Sequence, residues 1–220
     1  DRHARRVGQF VLYAAGFHGL LSMDPAFLDK WIEPLVRGCE WIQEARLNTL
    51  HNGVKGLLPA GVANDAMTEE QQAWNDAWAY KGLSTIVLLL KRLGDPRWET
   101  LDAWAREYRE TFQRILRQAV ASAPTWTAPN GEKVPLIPTS PGEALPVSLK
   151  HAFYLDTGPM VLVWAGLMAA DDPIMRANVR WNREGPQWRL YRPYSSKRIH
   201  DDHAIGAWKL DLTHPRKINI

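Results

Sequence analysis

Apolar residues recur every three or four positions along most of the chain, which is the spacing of amphipathic helices. The clearest stripes consist of Phe27, Trp31, Leu35, Cys39 and Ile42, of Trp78, Leu83, Ile86, Leu90 and Leu93, and of Leu101, Trp104, Tyr108, Phe112 and Ile115. Trp41 shares the spacing of the first stripe, so we expect both Trp31 and Trp41 in the core. Further helices are predicted over residues 5–21 and 159–170, the second apolar enough to be buried all round. No long run alternates with a period of two, although residues 134–137 fit a short ribbon, so the pattern predicts an all-α protein.

Asp-Pro dipeptides at Asp24, Asp95 and Asp172 each precede a stretch with helical periodicity. Aspartate accepts hydrogen bonds from the first free N–H groups of a helix, and proline fits the first helical turn. Gly94 follows one of the stripes and predicts a helix end. The regular spacing of the three starts predicts a repeat of antiparallel helix pairs.

Two long connections interrupt the helices, over residues 51–73 and 122–147, and the second is rich in proline. Connections of this length in a compact domain are usually functional. From residue 185 onward the chain is rich in Arg, Tyr, Trp and Pro and shows no clear periodicity. We therefore expect a helical domain over 1–184 and an irregular basic tail of unknown role over 185–220.

Charge and composition exclude several classes of protein. The 220 residues carry 27 Lys and Arg against 24 Asp and Glu, and the two signs are interleaved, so nucleic acid is not an expected partner. Apolar runs such as residues 86–90 are far shorter than the roughly 20 residues that span a bilayer, so no membrane helix is expected. The single Cys39 excludes an internal disulfide and is expected to be a buried thiol. It does not fix the compartment, and secreted, periplasmic and cytoplasmic locations stay open.

The most informative segment leads from a loop with Gly56 and Pro59 into a helix that opens with Trp74, Asn75 and Asp76. Trp74 and Trp78 are four residues apart and are expected on one helix face. Asp76 lies in the first turn, where the helix dipole favours an ionised carboxylate. It is therefore a candidate for catalysis or substrate binding, with a helix cap as the structural alternative.

This segment resembles the six-hairpin glycosidase superfamily, the (α/α)6 toroids. The resemblance rests on the Gly-Leu-Leu-Pro loop at 56–59, the Trp-Asn-Asp-Ala-Trp opening at 74–78 with Gly-Leu at 82–83, and the Phe-Tyr-Leu-Asp-Thr-Gly-Pro segment at 153–159. It covers roughly residues 25–181. It implies a ring of helices whose loops build a cleft for carbohydrate, lined with tryptophan and carboxylates. The residues agree in part, because the apolar C–H faces of sugars stack on indole and their hydroxyls need charged or amide partners.

The implied function is glycoside hydrolysis, which needs one carboxyl to protonate the leaving oxygen and another to activate water or attack. The carboxyls in the two informative segments are Asp65, Glu69, Glu70, Asp76 and Asp156. We predict Asp76, Asp65 and Asp156 as catalytic residues, although Asp156 also fits a cap. The predicted substrate-binding residues are Trp74, Asn75, Trp78, His151 and Tyr154.

Two other functions stay open. Asn75, His151 and Tyr154 fit a toroidal polysaccharide lyase, in which an amide neutralises a uronate carboxylate while His or Tyr removes the C5 proton. A mildly basic chain suits such an acidic polysaccharide. The same helical periodicity also fits a non-catalytic interaction module, since fold does not imply function.

No cofactor or metal is predicted. The cluster at His200, Asp201, Asp202 and His203 has two histidines three residues apart, but a solvated charged turn explains it better. The expected partner is an oligosaccharide or polysaccharide. A complete toroid needs more helices than the pattern supplies, so an incomplete ring is predicted, with apolar edges on helices 83–93 and 159–170. We expect such edges to be covered by the missing remainder of the ring or by self-association.

Overall fold

The computed structural model describes residues 2–48, 53–61, 70–142 and 161–184, with side chains from residue 11 onward except at residue 182. Within these ranges the elements follow the order α1 (Arg2–Ser22), α2 (Pro25–Leu47), α3 (Ala73–Leu93), α4 (Arg97–Ser122), β1 (Thr125–Thr127), β2 (Lys133–Pro135), α5 (Val161–Ala165) and α6 (Pro173–Glu184). The prediction of a mostly helical protein is confirmed. The predicted tail 185–220 lies outside the described residues, as does the cluster at 200–203.

The ribbon in the second connection lies slightly earlier than predicted, and its other strand was missed. β1 and β2 pair antiparallel with Trp126 opposite Val134. Both of these side chains are buried while their neighbours Thr125 and Thr127 are exposed. Three-residue strands are too short to give a clear alternating pattern in the sequence, which is why β1 escaped notice.

The three Asp-Pro dipeptides lie at helix starts as predicted, although α4 begins one residue later than expected, with Pro96 rather than Asp95 at its N-cap position. Asp24 caps α2 through a hydrogen bond of 3.0 Å from Ala26 N to its Oδ1, and Asp172 accepts one of 2.9 Å from Ile174 N. Asp95 accepts from Arg97 N at 3.0 Å. Gly94 ends α3 in the left-handed conformation, with φ of 70°. Local backbone chemistry thus fixes these helix ends.

α3 lies at the centre of the described fold and contacts α1, α2, α4 and α5. It packs most extensively on α1, where the absence of side chains at Gly16 and Gly82 lets the two helices approach closely. A Cβ at Gly16 would collide with Ile86, and one at Gly82 would lie 3.1 Å from Leu12. One continuous hydrophobic core joins these helices. No helix in the described ranges is both long and apolar enough to cross a membrane.

The prediction that Trp31 and Trp41 are core residues is wrong. Each is 37% exposed. The buried face of α2 instead follows Leu35, Cys39 and Ile42. At 100° per residue, Trp41 lies well away from this face, and Trp31 lies at its edge. The apolar set of α2 is wider than the face that its neighbours cover. Cys39 itself is a buried free thiol, as predicted, and burial raises its pKa.

The helix predicted over 159–170 is shorter and less buried than expected. α5 ends at Ala165 because Gly166 adopts a φ of 88°, and both Gly166 N and Leu167 N donate to the Leu162 carbonyl. This arrangement is a glycine-based helix stop. Trp164 is 41% exposed, so α5 is not buried all round. Residues 159 and 160 lie outside the described ranges.

Candidate functional site

The loop over residues 53–61 is held in place by buried side chains from two other segments. Arg46, at the end of α2, donates from Nε to the Gly56 carbonyl at 2.9 Å, and Gly56 N donates back to the Arg46 carbonyl at 2.9 Å. Gly56 has a φ of 92°, and a Cβ there would collide with Thr111 of α4. Glycine is therefore required at this position on two grounds, backbone conformation and space.

Gln71 fixes the other side of the same loop. Its amide accepts from Val54 N at 2.7 Å and donates to the carbonyls of Val54 and Leu58 at 3.0 and 2.9 Å. Gly53 and Gly142 lie directly against this amide, and a Cβ at either position would collide with it. A buried amide with its hydrogen bonds satisfied rigidifies the segments that it joins.

Asp76 is fully buried beneath this loop, with an exposed fraction of 0%. Its Oδ1 accepts hydrogen bonds from Leu58 N at 3.0 Å and from the Tyr108 hydroxyl at 2.6 Å. Oδ2 has no hydrogen-bond partner among the described residues. Desolvation raises the pKa of Asp76 from its usual 3.8 to about 6, against the lowering effect of the bonds from Tyr108 and Leu58 and of the positive charge of Arg46. The Asp76 carboxylate does not cap α3. The structural alternative given for Asp76 in the sequence analysis, a helix cap, is therefore wrong.

Arg46 and Tyr108 pack against each other beside the buried Asp76. The Arg46 guanidinium lies 3.6 Å from the centre of the Tyr108 ring and forms an ion pair of 3.0 Å with Glu107. Burial raises the pKa of Glu107, but the hydrogen bonds from Arg46 and Thr111 outweigh it, so the net shift is downward. Burial, followed by the nearby Asp76 carboxylate, raises the pKa of Tyr108, which therefore stays a hydrogen-bond donor. The buried Arg46 is thus satisfied by stacking, an ion pair and a backbone carbonyl.

Five aromatic side chains meet on the side of α3 opposite to Asp76, and we call them the aromatic platform. They are Tyr13 and Phe17 from α1, Trp74 and Trp78 from α3, and Trp164 from α5.

The rings of the platform form a continuous chain of contacts. The ring centres of Trp78 and Trp164 are 4.6 Å apart, and Tyr13 lies 5.3 Å from Trp164 and 5.8 Å from Trp78. Trp74 and Trp78 are 6.0 Å apart, which confirms that they share one helix face. Phe17 and Trp164 are 42% and 41% exposed, so the platform reaches the surface.

The predicted site residues on α3 do not all face the same way. Asp76 is two residues from Trp74, a rotation of about 200°, so the two side chains leave opposite sides of the helix. Asn75 donates weakly to the Gly61 carbonyl, at 3.5 Å. The structure therefore brings Trp74 and Trp78 together on one surface and places Asp76 in the core.

Several other predicted residues lie outside the described ranges, namely Asp65, Glu69, His151, Tyr154 and Asp156. Glu70 is described, and it accepts a hydrogen bond of 2.6 Å from Ser140. Its backbone pairs with Gly61, through N–O distances of 3.0 and 3.2 Å. The two ends of the segment that contains Asp65 are therefore close together.

A separate cavity of about 480 Å³ lies between the ribbon and α6. The described residues that line it include Val134, Ile174, Arg176 and Arg180, and Arg180 forms an ion pair with Glu132 at its rim. Within the described ranges, no three His, Cys, Asp or Glu side chains are close enough to hold a metal ion.

The site residues that sequence reasoning missed are Arg46, Gln71 and Tyr108 around the buried Asp76, and Tyr13, Phe17 and Trp164 in the aromatic platform. Arg46 carried a usable signal, because it lies one turn beyond Ile42 on the buried face of α2. Tyr108 was placed correctly in the core stripe of α4, but its hydroxyl contact to Asp76 spans 32 positions. Gln71 showed no signal, since its partners lie in a loop without periodicity.

Comparisons with known protein families, with curated proteins and with solved structures found no match. The resemblance to six-hairpin glycosidases therefore stays a prediction.

Proposed function

We propose that the protein is carbohydrate-active: it binds an oligosaccharide on the aromatic platform and hydrolyses a glycosidic bond with carboxyl groups. The observation that carries the proposal is the contact between Trp78 and the 41% exposed Trp164, with Tyr13 beside both. Large aromatic rings usually lie in the core, and a connected group of them at the surface typically marks a binding site.

Indole faces suit a sugar ring because the ring presents apolar C–H groups that lose contact with water on stacking. The platform draws on three helices, so its rings are held by the core rather than by a loop. A rigid aromatic surface loses little conformational entropy on binding. Trp74 extends the platform towards the beginning of α3, which follows Glu70 by three residues along the chain.

The chemistry of hydrolysis places two demands on the carboxyls. One donates a proton to the leaving glycosidic oxygen, and the other activates the water that supplies hydroxide to the anomeric carbon, or attacks that carbon itself. Asp65 and Asp156 are proposed for these roles. The complete burial of Asp76 favours a supporting role, in which it holds Leu58 and so fixes the loop over 53–61.

The proposal includes an (α/α) toroid arrangement of the helices. Supporting it, α1 and α2 are joined by two residues and α3 and α4 by three, and the members of each pair are in contact. Short connections between contacting helices are those of helical hairpins.

A non-catalytic interaction module is the second candidate. The observation in its favour is the same burial of Asp76, which removes one of the three predicted catalytic carboxyls from direct contact with a substrate. The Asn75 amide, which a lyase would use to neutralise a uronate carboxylate, donates to the Gly61 carbonyl instead, so the contacts of Asn75 do not favour the lyase.

A panel of neutral and acidic oligosaccharides tests the proposal, with binding followed by tryptophan fluorescence and hydrolysis by release of reducing ends. We expect at least one ligand to bind and be cleaved, and Asp65→Asn or Asp156→Asn to abolish cleavage while Asp171→Asn, an exposed control, does not. Asp76→Asn keeps an oxygen for Leu58 N and Tyr108, so a supporting role predicts retained turnover. Binding without cleavage would favour the interaction module, and an unsaturated product that absorbs in the ultraviolet would favour the lyase. Absence of both binding and cleavage would contradict the proposal.

A further inference from the structure

Among the described side chains, one positive charge lies at the aromatic platform. Lys81 of α3 is one turn from Trp78, and its Nζ lies 5.3 Å from the centre of the Trp164 ring. This distance is within the range of a cation–π contact. Lys81 is half-buried rather than enclosed in the core, so part of this residue is exposed beside the platform.

The helices that build the platform are almost free of carboxylates. The sequences of α1 and α5 contain no Asp or Glu, and α3 contains Asp76 alone, which is buried on the opposite side of the helix. Among the described residues, Lys81 forms no ion pair. The cation at the platform is therefore not neutralised by the protein groups described around it.

Protein sites for neutral sugars need acceptors for the hydroxyl hydrogens, and carboxylates are the strongest of these. The described surface around the platform offers aromatic rings and a cation. These groups match a ligand that itself carries a carboxylate. We infer that the platform binds a uronic-acid oligosaccharide, with a sugar ring stacked on Trp164 and its carboxylate paired with Lys81. This inference rests on the proposed function and narrows its substrate class.

The inference is tested by comparing trigalacturonic acid with its fully methyl-esterified form, which keeps the sugar rings but removes the charge. Tryptophan fluorescence or calorimetry at low ionic strength gives both affinities. We expect the acid to bind about tenfold more tightly, which is the size of effect that a charge-assisted hydrogen bond provides. The preference should fall as salt is added, because the pair is partly exposed.

Lys81→Gln should reduce the preference to about twofold or less, whereas Lys81→Arg should retain it. Lys91→Gln is the matched control, since Lys91 also lies on α3 and its Nζ is 4.9 Å from the centre of the Trp98 ring, outside the platform. It should leave the preference unchanged. Circular dichroism of each variant verifies that the helices are intact.

Equal affinity for the acid and the ester would overturn the inference and leave the proposed binding of sugars standing. Equal losses in Lys81→Gln and Lys91→Gln would also overturn it, by showing a general charge effect. Tighter, Lys81-dependent binding of single-stranded oligothymidylate would assign the platform to nucleic acid instead. Failure of both sugar forms to bind would overturn the inference, whereas the proposed function would fail only if the whole panel of neutral and acidic oligosaccharides also failed to bind.

Discussion

Replacing Tyr108 by Phe removes one oxygen atom from the buried cluster around Asp76 and leaves the rest of the ring in place. The lost hydroxyl donates to Asp76 Oδ1 at 2.6 Å, and only Leu58 N then remains as a donor to that oxygen among the described residues. A buried hydrogen bond to a charged group contributes about 1.5–3 kcal/mol. We expect Tyr108→Phe to lower the free energy of unfolding by about 2 kcal/mol at pH 8, where Asp76 is ionised.

The loss of stability caused by Tyr108→Phe should be smaller at low pH. The pKa of Asp76 is raised to about 6, so at pH 5 the carboxyl is mostly protonated and the lost bond is one between neutral groups, worth about 1 kcal/mol. Urea unfolding followed by far-ultraviolet circular dichroism at both pH values measures the difference. Tyr80→Phe is the matched control, because Tyr80 packs edge-on against Tyr108 with ring centres 5.9 Å apart and is likewise buried. Its effect should be small and independent of pH.

A double-mutant cycle with Asp76→Asn completes the test. In the Asp76→Asn background the partner of Tyr108 is neutral at every pH, so Tyr108→Phe should cost about 1 kcal/mol at both pH 5 and pH 8. An equal cost of Tyr108→Phe at the two pH values in the wild-type background would refute the reasoning, as would a cost below about 0.5 kcal/mol at pH 8.

The raised pKa of Asp76 means that the folded state holds this proton more tightly than the unfolded state, so the stability from this group is full below about pH 4 and is lost as the pH rises through 6. The shift of the Asp76 pKa from 3.8 to about 6 corresponds to roughly 3 kcal/mol. The stability of the wild type relative to Asp76→Asn should fall by up to that amount between pH 4 and pH 7. A stability difference between the two proteins that does not change with pH would contradict this prediction. Gly56→Ala should lower the free energy of unfolding by about 2–3 kcal/mol, against about 1 kcal/mol for Gly131→Ala. Both residues have positive φ, but only the Gly56 Cβ would collide with Thr111, so equal losses of stability in urea unfolding would refute the predicted collision. Self-association is expected from apolar side chains at the surface such as Leu88, which is 56% exposed, and sedimentation should show an assembly that Leu88→Glu weakens, whereas a compact wild-type monomer would contradict this.

The sequence predicted those parts of the fold that depend on nearby residues. The three helix starts follow from aspartate and proline beside one another, and the end of α3 follows from Gly94, since each involves hydrogen bonds within a few positions. The central stripes of α3 and α4 were likewise readable, because burial of one helix face leaves a regular period.

The rest depends on contacts between distant segments. Trp31 has the period of the buried stripe, yet how much of that stripe is covered is set by neighbouring helices that the sequence does not reveal. Trp164 was expected in a buried helix for the same reason. Trp41 departs from that period, so the error there was one of spacing. The site was predicted in part: the pairing of Trp74 with Trp78 followed from their spacing, whereas the bond from Tyr108 to Asp76 arises where α3 meets α4.

The aromatic platform as a carbohydrate-binding surface is the central claim, and a comparison of two exposed tryptophans tests it most directly. Trp164 is 41% exposed on the platform, and Trp31 is 37% exposed on α2 and lies outside the platform. Titration of the wild type, Trp164→Ala and Trp31→Ala with the tightest-binding oligosaccharide gives three affinities. We predict that Trp164→Ala weakens binding about fivefold or more, the contribution of one aromatic stack, while Trp31→Ala binds like the wild type. Equal affinities for all three proteins, or equal losses in the two variants, would contradict the claim.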